Sequence, residues 1–171
     1  MAYSKINWHD SPSTATPITA ANLNHMDDGI YNLDSTLDIR SGTWIPTLAS
    51  MLDESAPINP TYTLDYNWAS YYTIGKLCYV SFHLKANITN AGTGYALVTG
   101  LPFTSATGLD GQGLSMSEGS GAITSHSSNY TVGNVLDDST TIDLWKGNAQ
   151  LRAEYTTGTL WLGFSGVYLM K

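Results

Sequence analysis

Three kinds of side chain in this sequence could do chemistry: paired carboxylates, histidines, and aromatic rings with a polar edge. Glycoside hydrolysis needs two carboxyl groups about 5 to 10 Å apart, one to protonate the leaving oxygen and one to attack or activate water. The candidate pairs are Asp53 with Glu54, Asp110 with Glu118, and Asp137 and Asp138 with Asp143. Adjacent acids in loop sequence usually solvate a turn or cap a helix, so no catalytic pair is assigned. The last three could offer oxygens to calcium, but they lack the regular spacing of a calcium loop. His9, His25, His83 and His126 are scattered over arm, helix, strand and loop. Each reads as a solvated or hydrogen-bonded structural imidazole, although a rotation axis could gather three copies of His25 or His83 around an ion. No Gly-x-Ser-x-Gly elbow, His-Glu-x-x-His helix or phosphate loop is present. The expectation is a non-enzyme with no catalytic residue, no cofactor and no metal.

The aromatic residues are the stronger lead. Eleven Tyr and five Trp stand against three Phe. That balance favours rings that combine an apolar face with a hydrogen-bonding edge, the type that stacks on sugars and lines wet interfaces. Tyr62, Tyr66, Trp68, Tyr71 and Tyr72 form the densest cluster, followed by Tyr95, Tyr130 and Trp145. Trp44 and Trp161 are assigned to packing. Trp68, Tyr72, Tyr130 and Trp145 are expected to form an exposed, carbohydrate-contacting set.

These side chains must be positioned by a chain of 171 residues, enough for one domain and a short appendage. The net charge of −7 opposes phosphate backbones and argues against nucleic acid as a partner. No stretch approaches the roughly 18 to 20 apolar residues of a spanning helix; Leu160 to Met170 is interrupted by Gly163, Ser165 and Gly166. A water-soluble chain without membrane insertion is therefore expected. Met1 to Asp10 lacks the layout of a secretory signal. Only 12% of residues are charged, so the surface must be largely neutral and polar. Cys78 is the single cysteine, which rules out a disulfide within the chain and leaves stability to packing or assembly.

Three segments are predicted: an extended arm over 1–18, one helix with a coiled-coil seam over 19–40, and a β-rich block over 41–171. In the arm, Pro12, Pro17 and the small polar residues between them disfavour regular structure. Thr19 can cap the helix by accepting the amide of Asn22, with Ile18 and Leu23 as a hydrophobic staple. Leu23, Met26, Ile30, Leu33 and Leu37 then follow at spacings of three, four, three and four, a heptad seam. The seam is compatible with a helix laid on its own β block or with a bundle of two or three identical chains.

Beyond Thr43 the pattern alternates. Along Leu77 to Lys85, Cys78, Val80, Phe82 and Leu84 share one face, opposite Leu77, Tyr79, Ser81 and His83. Further strands are predicted over Tyr95–Thr99, Ala149–Thr156 and Thr159–Phe164, the last two joined as a hairpin through Thr156-Thr157-Gly158. Thr104–Ser128, with five Gly and seven Ser, reads as long loops holding a weak strand near Ala122–Thr124. The predicted fold is mainly β: an antiparallel β-sandwich of jelly-roll type preceded by one helix.

Several of these segments resemble bacteriophage and prophage tail fibres and receptor-binding proteins. Thr16-Pro17-Ile18-Thr19-Ala20-Ala21-Asn22-Leu23-Asn24 through Ile30 resembles the helix entry of many tail proteins. Ser41-Gly42-Thr43-Trp44-Ile45-Pro46-Thr47-Leu48 resembles the opening strand of their head domains. Tyr71, Ile74-Gly75-Lys76-Leu77-Cys78-Tyr79-Val80 and Gly100-Leu101-Pro102-Phe103 follow in the same order, with Ala69 and Thr73 where Gly and Lys are usual. The resemblance implies a homotrimer on the virion tail tip, with helices forming a stalk under β-sandwich heads and the arm docking on a tail or baseplate protein. The expected function is a non-catalytic adhesin for a bacterial surface glycan. The rivals are a structural tail component and a small polysaccharide depolymerase.

Overall fold

The computed structural model describes residues 5, 19–51, 56–108, 111–124, 131–146 and 151–171. The chain divides into two compact units, Met1–Arg40 and Ser41–Lys171. No helix among the described residues is long and apolar enough to cross a membrane.

The first unit holds α1, Ala20–Leu37. It starts where the sequence places it: Thr19 is extended, and its Oγ1 accepts from the backbone N–H of Asn22 at 3.2 Å. It stops where Asp38 turns into the left-handed region at φ 34°, its N–H still bonded to the carbonyl of Asp34. Arg40 closes on the Asp38 carboxylate and holds its pKa below the ordinary value. Met26 is 64% and Leu33 60% exposed, Ile30 and Leu37 are also exposed, and Leu23 is half-buried. Of the predicted arm only Lys5 is described; its Nζ lies 2.5 Å from the Asp28 carboxylate.

The second unit is one curled, ten-stranded sheet. Its strands are β1 (Arg40–Thr43), β2 (Thr47–Met51), β3 (Thr61–Ile74), β4 (Leu77–Asn90), β5 (Tyr95–Thr99), β6 (Gln112–Ile123), β7 (Thr131–Val135), β8 (Thr141–Lys146), β9 (Leu151–Arg152) and β10 (Tyr155–Leu169). The spatial order is β1-β3-β4-β10-β6-β7-β8-β5-β2, with β9 on β8, and the pairs from β3 to β2 are antiparallel. β6 turns the corner: its first residues pair with β7, the rest with β10. The mainly β class and the single helix are as expected, and the strands join one continuous antiparallel sheet that curls on itself.

One apolar cluster fills the curl. Val80, Phe82 and Leu84 of β4 and Leu160, Leu162 and Phe164 of β10 meet Val98 of β5 and Ile142 and Leu144 of β8, all essentially inaccessible to solvent. Trp44 sits among them, edge-on to Phe82 at 5.4 Å, as expected of a packing residue. β3 is tied across the curl to β2, the far end of the order, by the Tyr62 hydroxyl, which accepts from the N–H of Leu48 at 3.1 Å. The alternation read in β4 and in Leu160–Phe164 holds side chain for side chain.

Two strand expectations need correction. Thr156-Thr157-Gly158 is not a hairpin: β10 runs straight through it, with Gly158 at φ 121° opposite Ile88. The glycine marks an irregularity inside a long strand, where the pairing with β6 jumps between Tyr155 and Leu160. The Gly- and Ser-rich stretch is likewise no loop over 112–121; together with the expected strand at Ala122 and Ile123 it is β6, bonded first to β7 and then to β10. A strand with two partners is held by its backbone, so it tolerates small side chains that give no periodic signal.

Candidate functional site

The outer face of β3, β4, β10 and β6 carries transverse rows of side chains in register. Tyr66, Lys85, Trp161 and Ser120 make one row; Trp68, His83, Gly163 and Glu118 make the next. Beyond them lie Ser70, Ser81 and Ser165, then Tyr72, Tyr79 and Val167.

His83 is the hub of the first two rows. Its ring is edge-on to Tyr66 at 5.6 Å and stacked on Trp161 at 5.7 Å, with 28° between planes. Its Nε2 lies 2.6 Å from Oε2 of Glu118, an ion pair when the imidazole carries its proton. Histidine and glutamate stand on strands separated by β10, and they meet because the residue between them is Gly163. A Cβ there would stand 3.1 Å from the His83 ring and 2.6 Å from Oγ of Ser117. The absent side chain leaves the two functional groups free to close over the strand. Lys85 Nζ sits 5.1 Å above the Trp161 ring and 3.3 Å from Oδ2 of Asp65. Trp68, directly opposite His83, is 50% exposed, and Tyr66 is exposed beside it.

Two bulges aim these residues outward. In β3, Leu64 pairs with Ala86 but Tyr66 pairs with Lys85, so Asp65 is an extra residue. Before it, Tyr62 and Leu64 are in phase with core positions; after it, Tyr66, Trp68, Ser70 and Tyr72 face outward while Ala69, Tyr71 and Thr73 turn to the core. In β6, Phe164 pairs with Met116 and Gly163 with Glu118, leaving Ser117 as the extra residue. Leu114 and Met116 therefore pack inward and Glu118 outward despite their even spacing. A one-residue slip reverses every side chain that follows.

The expected carbohydrate set is distributed differently from a single site. Trp68 and Tyr72 share the outer face of β3, and Tyr72 is 58% exposed two rows along from the His83 row. Trp145 stands on β8, with β7 and β6 between it and β10. It is half-buried rather than exposed, its ring 5.3 Å from the Arg152 guanidinium. Tyr130 lies outside the described residues. Trp161, assigned to packing, is instead half-buried on the outer face between His83 and Lys85. Its parity with Leu160 and Leu162 was the readable signal: those two point inward, so Trp161 must point out.

The remaining candidates separate. Asp137 accepts from the N–H of Gly108 at 2.8 Å and Asp138 pairs with Lys171, so both serve turns, while Asp143 is buried against Arg152. Asp53, Glu54, Asp110, His9 and His126 lie outside the described residues, and His25 is exposed on α1. Among the described residues, no group of three or more His, Cys, Asp or Glu side chains is placed to hold a metal ion. No family model matches this chain, and no curated protein matches it.

Proposed function

We propose that this chain is a non-catalytic tail-tip adhesin of a bacteriophage or prophage, binding a bacterial surface carbohydrate as a homotrimer. The observation that carries the reading is the pair of adjacent outer-face rows holding Tyr66 and Trp161, then Trp68 and His83, edged by Lys85, Asp65 and Glu118. Sugar rings present C–H faces that stack on aromatic rings, and hydroxyls that bond to carboxylates and imidazole. Trp68 supplies an exposed ring, and the His83–Glu118 pair supplies a donor and acceptors held by their own contact. The curled sheet then works as a β-sandwich head in which one half backs the other, and the bare seam of α1 supports a stalk shared with sister chains. Clustering three heads turns a weak single-site affinity into firm attachment.

The test compares adhesion with folding. Trp68→Ala and Trp161→Ala are expected to cut binding to immobilised bacterial envelope polysaccharide at least tenfold while moving thermal unfolding by no more than a few degrees, because neither ring belongs to the core cluster. Parallel loss of binding and of the folded state overturns the assignment.

A second reading, a structural tail component, is favoured by the other end of the same face. Tyr72, Ile74, Leu77, Tyr79 and Val167 are all exposed there, an apolar patch suited to a protein neighbour. An adhesin responds to a polysaccharide panel; a structural component stays blank on it and captures other virion proteins.

A further inference from the structure

The serine row on the outer face has a shape of its own. Ser70, Ser81 and Ser165 are joined in register by Ser115 of β6, so four neighbouring strands place the same small hydroxyl side chain at one level. Ser115 points outward because Leu114 and Met116 on either side of it pack inward. Trp68, His83 and Glu118 stand on one side of the row, Tyr72, Tyr79 and Val167 on the other. Small side chains between tall ones leave a trough that crosses the strands, and Ser70, Ser81 and Ser165 are half-buried at its bottom. On β3, β4 and β10 the two walls are four residues apart, about 13 Å between backbone positions, and four strands span about 14 Å in the other direction. Once the wall side chains are allowed for, the trough is one sugar ring wide and about three linked rings long.

The chemistry of the trough is uniform. Among the described residues, no hydrogen bond engages the four serine hydroxyls or those of Tyr72 and Tyr79, and each of them can both donate and accept. The floor and the Tyr72 wall carry no charge, and on the opposite wall Glu118 is paired with His83. The flat apolar surface of a protein neighbour would cover the serine hydroxyls without pairing them. A carbohydrate pairs hydroxyl with hydroxyl and lays its C–H faces against the rings.

We infer that the trough holds a linear, uncharged run of about three sugars, lying across the strands from β3 to β6. The serines bond to hydroxyls along the run, with Trp68 flanking one side and Tyr72 and Tyr79 the other. The inference rests on the adhesin reading, and adds to it the class of glycan, the direction of the chain and the second wall.

The full chain is titrated with the neutral envelope polysaccharide it binds most tightly, cut by mild acid into disaccharide, tetrasaccharide and octasaccharide fractions. Binding is followed by calorimetry. The tetrasaccharide is expected to bind at least about tenfold more tightly than the disaccharide, and the octasaccharide no more than about twofold better again, because the trough is then full. Ser81→Val suits an outward strand position, raises the floor and removes one hydroxyl; it is expected to weaken tetrasaccharide binding about tenfold while the thermal transition moves by no more than a few degrees. Should Ser81→Val fail to fold, Tyr72→Ala on the exposed wall takes its place, with the same expectation. The inference is overturned if only acidic polysaccharides bind, if the tetrasaccharide gains nothing over the disaccharide, or if Ser81→Val and Tyr72→Ala bind as the parent does. In each of these cases the adhesin reading survives as long as Trp68→Ala still loses binding. A Tyr72→Ala variant that loses capture of virion proteins but keeps its polysaccharide assigns that wall to a protein neighbour and also overturns the inference. A parent that binds no polysaccharide removes both readings.

Discussion

Three buried groups, the Cys78 thiol and the phenols of Tyr155 and Tyr168, set how the folded chain responds to alkali. Burial raises all three above their ordinary values, Tyr155 strongly. The phenols also work as structural donors, Tyr155 to the carbonyl of Leu97 at 2.7 Å and Tyr168 to that of Phe103 at 2.9 Å. Each group is neutral in both states below its unfolded pKa, 9.0 for the thiol and 10.0 for the phenols. Above it the unfolded chain releases the proton and the folded chain keeps it. Stability is therefore whole at neutral pH and declines from about pH 9 upward, at up to about 1.4 kcal/mol per pH unit for each such group. Urea unfolding at stepped pH is expected to show the decline. Tyr155→Phe is expected to be less stable at pH 7 by about 1 kcal/mol, through the lost hydrogen bond, yet to fall less steeply in alkali. A parent whose urea midpoint stays flat to pH 11 contradicts the assignment of these hydroxyls to the interior.

Elements, rather than single residues, decide which side chains reach the surface, and glycine positions inside strands govern that choice. Gly121 in β6 sits at φ 85°, and a Cβ there would lie 1.9 Å from the carbonyl oxygen of Thr159 on β10, where the two strands change register. Gly108 has a similar φ of 77° but open space around it. Gly121→Ala is expected to cost clearly more than the roughly 1 kcal/mol of unfavourable backbone conformation expected for Gly108→Ala. Paired thermal melts of the two variants separate the clash from the torsion, and equal shifts would show the register change to be loose. The same irregularities account for what the sequence allowed to be read. The helix cap at Thr19, the core faces of β4 and Leu160–Phe164, and the burial of Trp44 follow from spacing and parity alone. Glu118 and the sorting of Tyr62 from Tyr66 and Trp68 do not, because single extra residues at Asp65 and Ser117 reverse the phase. Nothing in the identity of an aspartate or a serine announces a bulge. β6 was hidden for a related reason: its Gly and Ser side chains contribute little burial, and its strand character comes from neighbours far away in the chain.

At the scale of the whole molecule, the β unit has its own core, and α1 carries an apolar stripe of its own. Met26, Ile30, Leu33 and Leu37 line one side of an eighteen-residue helix and remain exposed. Helices of this length gain too little from propensity to persist in water, so an apolar stripe at heptad spacing is stable only where it is covered. In the proposed trimer that partner is the same stripe on sister chains. Mass measurement in solution is expected to give three times the 18.5 kDa of one chain. Replacing both Ile30 and Leu33 by Asp places charges in the seam and is expected to return single chains. Because the core cluster lies entirely within 44–168, the thermal transition of the head should survive in that variant. Attachment to a polysaccharide-coated surface should then fall at least a hundredfold, since each head binds alone. Its affinity for a soluble oligosaccharide should match the parent's, whereas Trp68→Ala loses both. A parent that runs as a single chain, or a seam variant that still clings to the surface, would break the link between the stripe and multivalent attachment.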